Sequence, residues 1–119
     1  MRIHIRWRDV PVDGPQRAVI QEALRLAFDP QSSRLLSIHA TLEPSPPMHG
    51  AERYRCQLRA RLRDGRRLTS DDHARAPAEA ARLAAARIAQ RLELTRRLAP
   101  AQRLGVFARR SLARTGGNS

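Results

Sequence analysis

From Arg53 to Leu62 the side chains alternate without a break. Tyr54, Cys56, Leu58, Ala60 and Leu62 fall on one side, and Arg53, Arg55, Gln57, Arg59 and Arg61 on the other. A period of two is the signature of a strand whose successive residues face opposite ways. This segment therefore demands a sheet with one buried face and one face carrying guanidinium groups. A layer of helices is needed on the apolar side only. Aromatic residues are 3% of the chain, so that layer must be aliphatic, built from Ala, Leu, Ile and Val.

The remaining segments supply such a layer. Arg2 to Trp7 alternates as well, with Ile3, Ile5 and Trp7 opposite Arg2, His4 and Arg6, and reads as a half-buried strand. Asp13 is a good N-cap, Pro15 suits a first turn, and Gln16 completes a capping box. The helix they open should run to about Phe28, with Ile20, Leu24 and Ala27 as its apolar stripe, ending at Asp29-Pro30. A strand is expected from Leu35 to Leu42, with Leu36, Ile38, Ala40 and Leu42 inward and Ser37, His39 and Thr41 outward. Pro44, Pro46 and Pro47 should stop it, because proline cannot donate to a ladder. Asp64-Gly65 signals a hairpin, leading to a short strand from Arg66 to Ser70 with Leu68 inward. A last helix, dense in alanine, should run from Pro77 to Leu98, with Ala81, Ala84, Ala85, Ile88 and Leu92 on one face and Pro100 marking its exit. The fold class is thus α+β, order β-α-β-β-β-α: a four-stranded sheet with both helices packed on one face. Residues 1–98 form the domain. Residues 99–119 are expected to be a basic, flexible tail.

Charge narrows the function. All 23 basic residues are arginine, against 11 acids, for a net charge of +12. Such an excess repels itself, and a polyanion would turn that repulsion into binding by displacing condensed counterions. Arginine matches phosphate bidentately and stacks on bases. One cysteine excludes an intrachain disulfide framework. No apolar run is long enough to span a membrane as a helix. The charged, alternating N-terminus does not read as a signal peptide, so a cytoplasmic protein is expected.

Two sets of residues are candidates for phosphate contact. The sheet set is Arg2, Arg6, Arg53, Arg55, Arg59 and Arg61, projecting together with His4 and His39. Like charges on neighbouring strands destabilise a sheet, so their clustering suggests an anionic partner, although a merely solvated face has the same pattern. The helix set is Arg17, Arg25, Arg87, Arg91, Arg96 and Arg97, with Glu93 and Arg97 also spaced as an ordinary i,i+4 pair. Chemistry of other kinds finds little support. Cys56 and His39 fall on opposite sheet faces, which suits a buried structural thiol rather than a nucleophile. Asp71-Asp72-His73 is read as following a strand, with Asp72 capping or turning the chain. The four histidines lack metal spacing, and no glycine-rich phosphate loop is present. No enzyme activity, cofactor, metal or small-molecule substrate is expected.

The element order resembles that of the ribosome hibernation promoting factor family, also called ribosome-associated inhibitor or sigma-54 modulation proteins. The resemblance covers about residues 1–98. It rests on the alternating first strand, the Val10-Pro11-Val12-Asp13 lead into helix one, the Asp64-Gly65 hairpin, and the run from Ala80 to Leu92. It implies a protein that sits between head and body of the small ribosomal subunit, occupies the space used by messenger and transfer RNA, and silences idle ribosomes. In that family basic residues of the two helices contact ribosomal RNA; Arg87 matches such a position, Arg91, Arg96 and Arg97 continue it, and helix one offers Arg17 and Arg25. The sequence departs from the family at Arg75-Ala76-Pro77-Ala78, where an acidic residue and an aromatic usually open the second helix. The second, dimerising domain of the long form has no counterpart here, which implies a short form, read as a monomer.

The expected function is therefore ribosome-associated RNA binding that inhibits translation, with the small subunit and its RNA as partners. Two alternatives stay open. One is a double-stranded RNA-binding module, whose α-β-β-β-α order is contained in this chain. The other is a protein-interaction adaptor using the open sheet.

Overall fold

A computed structural model describes the backbone of residues 1–113 and the side chains of residues 1–96. The elements are β1 (Arg2–Trp7), α1 (Gly14–Phe28), a 3₁₀ segment (Asp29–Arg34), β2 (Leu35–Met48), β3 (Ala51–Leu62), β4 (Arg67–Ala74) and α2 (Pro77–Ala113). The four strands form one sheet in the order β1-β2-β3-β4. The first pair is parallel, joined by the crossover through α1, and the other two pairs are antiparallel. This is the expected α+β fold. α2 lies across β3 and β4, and α1 packs against α2 and β1, on the same face of the sheet.

α1 begins where local chemistry says it should. Asp13 caps α1 reciprocally with Gln16: the Gln16 amide donates to the Asp13 carboxylate at 2.9 Å, and the Asp13 amide donates to Gln16 Oε1 at 3.0 Å. Ile20, Leu24 and Phe28 of α1 are buried against Ile38, Leu42, Leu58, Ile88 and Leu92. Ala80, Ala81, Ala84 and Ala85 are buried too. Their small side chains let the α2 backbone lie close to the sheet.

Three element ends and the facing of one residue differ from the sequence reading. β2 does not stop at Leu42 but runs through Pro44 to Met48, pairing Pro44 with Tyr54 and Ser45 with Arg53. Its pairing with β1 ends at Trp7 and Leu42, so beyond that point one side of β2 is an edge, where missing N–H donors leave no ladder bond unmade. The hairpin closes at His49-Gly50, whose φ angles of 54° and 75° match the left-handed turn that two-residue hairpins use. β4 continues past Ser70 to Ala74, so Asp71, Asp72 and His73 lie within a strand rather than after one. Leu36 is exposed, not inward, because a register shift between Leu35 and Ser37 turns it out and seats Leu35 in the core. α2 carries on past Pro100 to Ala113, so that proline does not end it and the expected boundary at 98 falls inside a helix. The expected flexible tail reaches to residue 119, and its last residues, 114–119, lie outside the described residues.

Candidate nucleic-acid interface

The register lays the open face of the sheet out in rows. Arg2, Ser37, Arg61 and Arg67 form one row across β1 to β4, and His4, His39, Arg59 and Thr69 the next. Arg6, Thr41, Gln57 and Asp71 follow, and then Glu43, Arg55 and His73. The face is sorted by charge along the strands. At one end Arg55 is held by two carboxylates. Its guanidinium grips Asp71 through a close bidentate contact and reaches Glu43 at 3.1 Å, while Arg8 approaches Glu43 at 3.7 Å. The Arg55 hydrogen bonds hold the Asp71 carboxyl below the usual carboxylate range, and Asp71 in turn raises the pKa of Arg55.

The other end has no such compensation. Among the described residues, Arg2, Arg6, Arg59, Arg61 and Arg67 are exposed and make no side-chain hydrogen bond or ion pair. Asp64, in the loop beyond that end, is already taken by Arg66 at 2.9 Å. In the midst of the arginines the His4 and His39 rings stack, with centroids 4.9 Å apart and planes inclined by 18°. Burial lowers the pKa of His39, with further contributions from His4, Arg59 and Arg61.

The structure thus brings together Arg2, Arg6, Arg59 and Arg61 of the sheet set and separates Arg55, whose charge is neutralised. Arg53 stands at the hairpin end, where its Nη1 contacts Met48 Sδ at 3.2 Å. Arg67 was missed in the sequence. The alternation from Arg67 through Leu68 could have placed it outward, beside Arg61.

The helix set lies on the opposite side of the sheet and is more heavily engaged. Arg17 stacks over Trp7, 5.2 Å from the ring centroid. Arg25 is paired with Glu22, and Arg96 with Glu93. Glu93 also accepts from Gln31 at 3.0 Å; the Arg97 side chain, expected to pair with Glu93, lies outside the described residues. Arg91 donates to the Thr69 carbonyl at 2.6 Å. Arg87 reaches Oδ1 of Asp72 at 2.9 Å, and Asp72 is one of the few buried charged residues. Asp72 therefore does not cap or turn the chain; it anchors α2 to β4.

Other chemistry finds no constellation. Burial, with Asp72 and Asp71 nearby, pushes the Cys56 thiol up to about 12. Among the described residues no three His, Cys, Asp or Glu side chains come together as a metal site, and no helix is long and apolar enough to cross a membrane.

No family model matches the sequence, and no curated protein matches it either. Solved structures do match. One is a ribosomal subunit interface protein from Coxiella burnetii, with a TM-score of 0.64 and 12% identity over 81% of this chain and 98% of that one. Another is the N-terminal domain of Protein Y from Thermus thermophilus, with a TM-score of 0.58 and 15% identity over 77% of this chain and 96% of that one. The chain shares the fold of these two proteins, and with it the architecture implied by its resemblance to the hibernation promoting factor family.

Proposed function

We propose that this protein is a ribosome-associated, RNA-binding factor that inhibits translation sterically, by occupying the messenger and transfer RNA channel of the small subunit. The observation that carries the reading is the uncompensated end of the open sheet, five unpaired arginines on a fold shared with a ribosomal subunit interface protein. Phosphate contact is what such a surface does best. Arg17, Arg25, Arg87, Arg91 and Arg96 on the helix side already have protein partners and add charge at longer range. Nothing in this mechanism requires catalysis.

If each of the five unpaired arginines neutralises one phosphate, log K should fall against log salt with a slope of about −4. The test is co-sedimentation of the purified protein with ribosomes and with separated subunits at low and moderate salt. Stoichiometric, salt-sensitive migration with the small subunit, competed by messenger or transfer RNA and lost in Arg59→Glu/Arg61→Glu, is expected. Protein that stays at the top of the gradient while binding short duplex RNA would overturn the ribosomal reading in favour of a duplex-RNA module. Migration that survives high salt and nuclease would favour a protein adaptor.

A further inference from the structure

The stacked histidines do not fit a face built only for charge repulsion. His4 on β1 and His39 on β2 are register partners, and two protonated rings 4.9 Å apart repel each other. Every element around them adds positive charge. Arg2 and Arg6 flank His4 along β1, Arg59 is the register partner of His39 on β3, and Arg61 and Arg67 fill the next row. The carboxylates that could offset this are committed elsewhere: Asp71 and Glu43 to Arg55, and Asp64 to Arg66. The helices lie on the other face, and among the described residues His4 is exposed and His39 half-buried among its sheet neighbours. In the free protein His39 is thus biased towards neutral imidazole, although a protonated ring has two N–H donors well suited to an anion.

We infer that the stacked His4–His39 pair, with Arg2 and Arg59 beside it, is a seat for a nucleic-acid phosphodiester and takes up a proton from solvent as it fills. The inference rests on the proposed reading that the open face meets RNA. A phosphodiester stays singly ionised across the pH range in which histidine titrates. The proton therefore goes to an imidazole nitrogen and not to the ligand, and no bond between heavy atoms forms or breaks. The incoming negative charge removes the penalty that kept the ring neutral. Binding must then tighten as pH falls, by at most tenfold per pH unit for each proton taken up.

The test uses the full chain and a short fluorescent RNA duplex, with affinity measured from about pH 8 to about pH 6 at fixed ionic strength. Calorimetry in buffers of different ionisation enthalpy counts the protons. Wild type should bind roughly tenfold more tightly at the lower pH and take up close to one proton. The variant His4→Gln/His39→Gln, checked for folding by circular dichroism, should lose both the pH response and the proton uptake, binding no more tightly at the lower pH than at the higher. His39→Gln alone should lose most of the uptake, which keeps the test available if the double variant does not fold. Uptake that persists in the variants would place the proton elsewhere, as at His73, and overturn the seat while leaving RNA binding intact. RNA binding with a flat profile in wild type would do the same. Inorganic phosphate should compete weakly at matched phosphate concentration, and equal competition would overturn the phosphodiester assignment. If the duplex does not bind near pH 8 and Arg59→Glu changes nothing there, the RNA reading itself falls and the seat falls with it.

Discussion

Arg87 holds a buried carboxylate, and removing it tests that role directly. Asp72 is 7% exposed and sits opposite Cys56 in the β3–β4 register, on the core side of the sheet. Its Oδ1 lies 2.9 Å from Arg87 Nε in an ion pair, and its Oδ2 is buried with no hydrogen-bond partner. In Arg87→Ala neither oxygen is satisfied. Breaking a fully buried pair in this way costs about 3–5 kcal/mol. The Arg87 side chain is 68% exposed, so much of its charge is screened by water, and the appropriate range is that of leaving a buried polar group without its partner, about 1–3 kcal/mol. Against a total stability of about 5–15 kcal/mol this is a large fraction. Urea unfolding, followed by circular dichroism, should show the midpoint of Arg87→Ala well below wild type with an unchanged slope. Asp72→Ala should cost less, because it removes the buried charge and leaves Arg87 solvated. The double variant Asp72→Ala/Arg87→Ala should be no less stable than Asp72→Ala alone. Simple additivity of the two single losses, to within about 0.5 kcal/mol, would refute the reasoning. The same experiment bears on binding studies: a loss of RNA affinity in an Arg87 variant means loss of a contact only if the fold is shown to survive.

Three further outcomes are expected. Cys56 should resist thiol reagents in the native protein at neutral pH and react at the rate of global unfolding; fast modification without denaturant would contradict its burial and raised pKa. The Asp71–Arg55 contact depresses a carboxyl pKa, so its stabilisation is present above the unfolded value of about 3.9 and is lost as pH falls through the lower folded value. Arg55→Gln should therefore flatten the acid limb of stability against pH, and an unchanged limb would show that the contact contributes nothing. Gly50→Ala places a side chain at φ 75° in the hairpin between β2 and β3 and should cost about 1 kcal/mol, measured as a lowered urea midpoint, whereas Gly14→Ala, with open space and ordinary φ, should be close to neutral.

The elements that repeat a period were legible from the sequence, and those that depend on a partner were not. The alternation of β3, the capping box of α1 and the alanine face of α2 are local facts, and each predicts its own structure. The continuation of β2 through its prolines is different. It is permitted because β1 is too short to pair there, which is a property of another segment. Asp71 and Asp72 are poor strand residues by propensity, yet β4 includes them because Arg55 on one face and Arg87 on the other receive their charges. For the same reason the sequence located the arginines without distinguishing engaged from free. Arg55 and Arg59 look alike in an alternating run; only the register shows that one faces Asp71 and the other a pair of histidines.

β1 and β4 are the two margins of the sheet, and β1 leaves one whole side of its backbone without a ladder partner. Such a margin is a template on which a second copy of the chain could zip itself, and exposed cationic side chains are a common guard against it. Arg2 and Arg6 stand on that strand, so two copies meeting margin to margin bring guanidinium against guanidinium. The charge assigned to RNA contact in the proposed function therefore also opposes polymerisation along the sheet. Charge reversal at Arg2 or Arg6 would weaken the guard, making self-association the first property to check in any variant made to abolish binding from that strand.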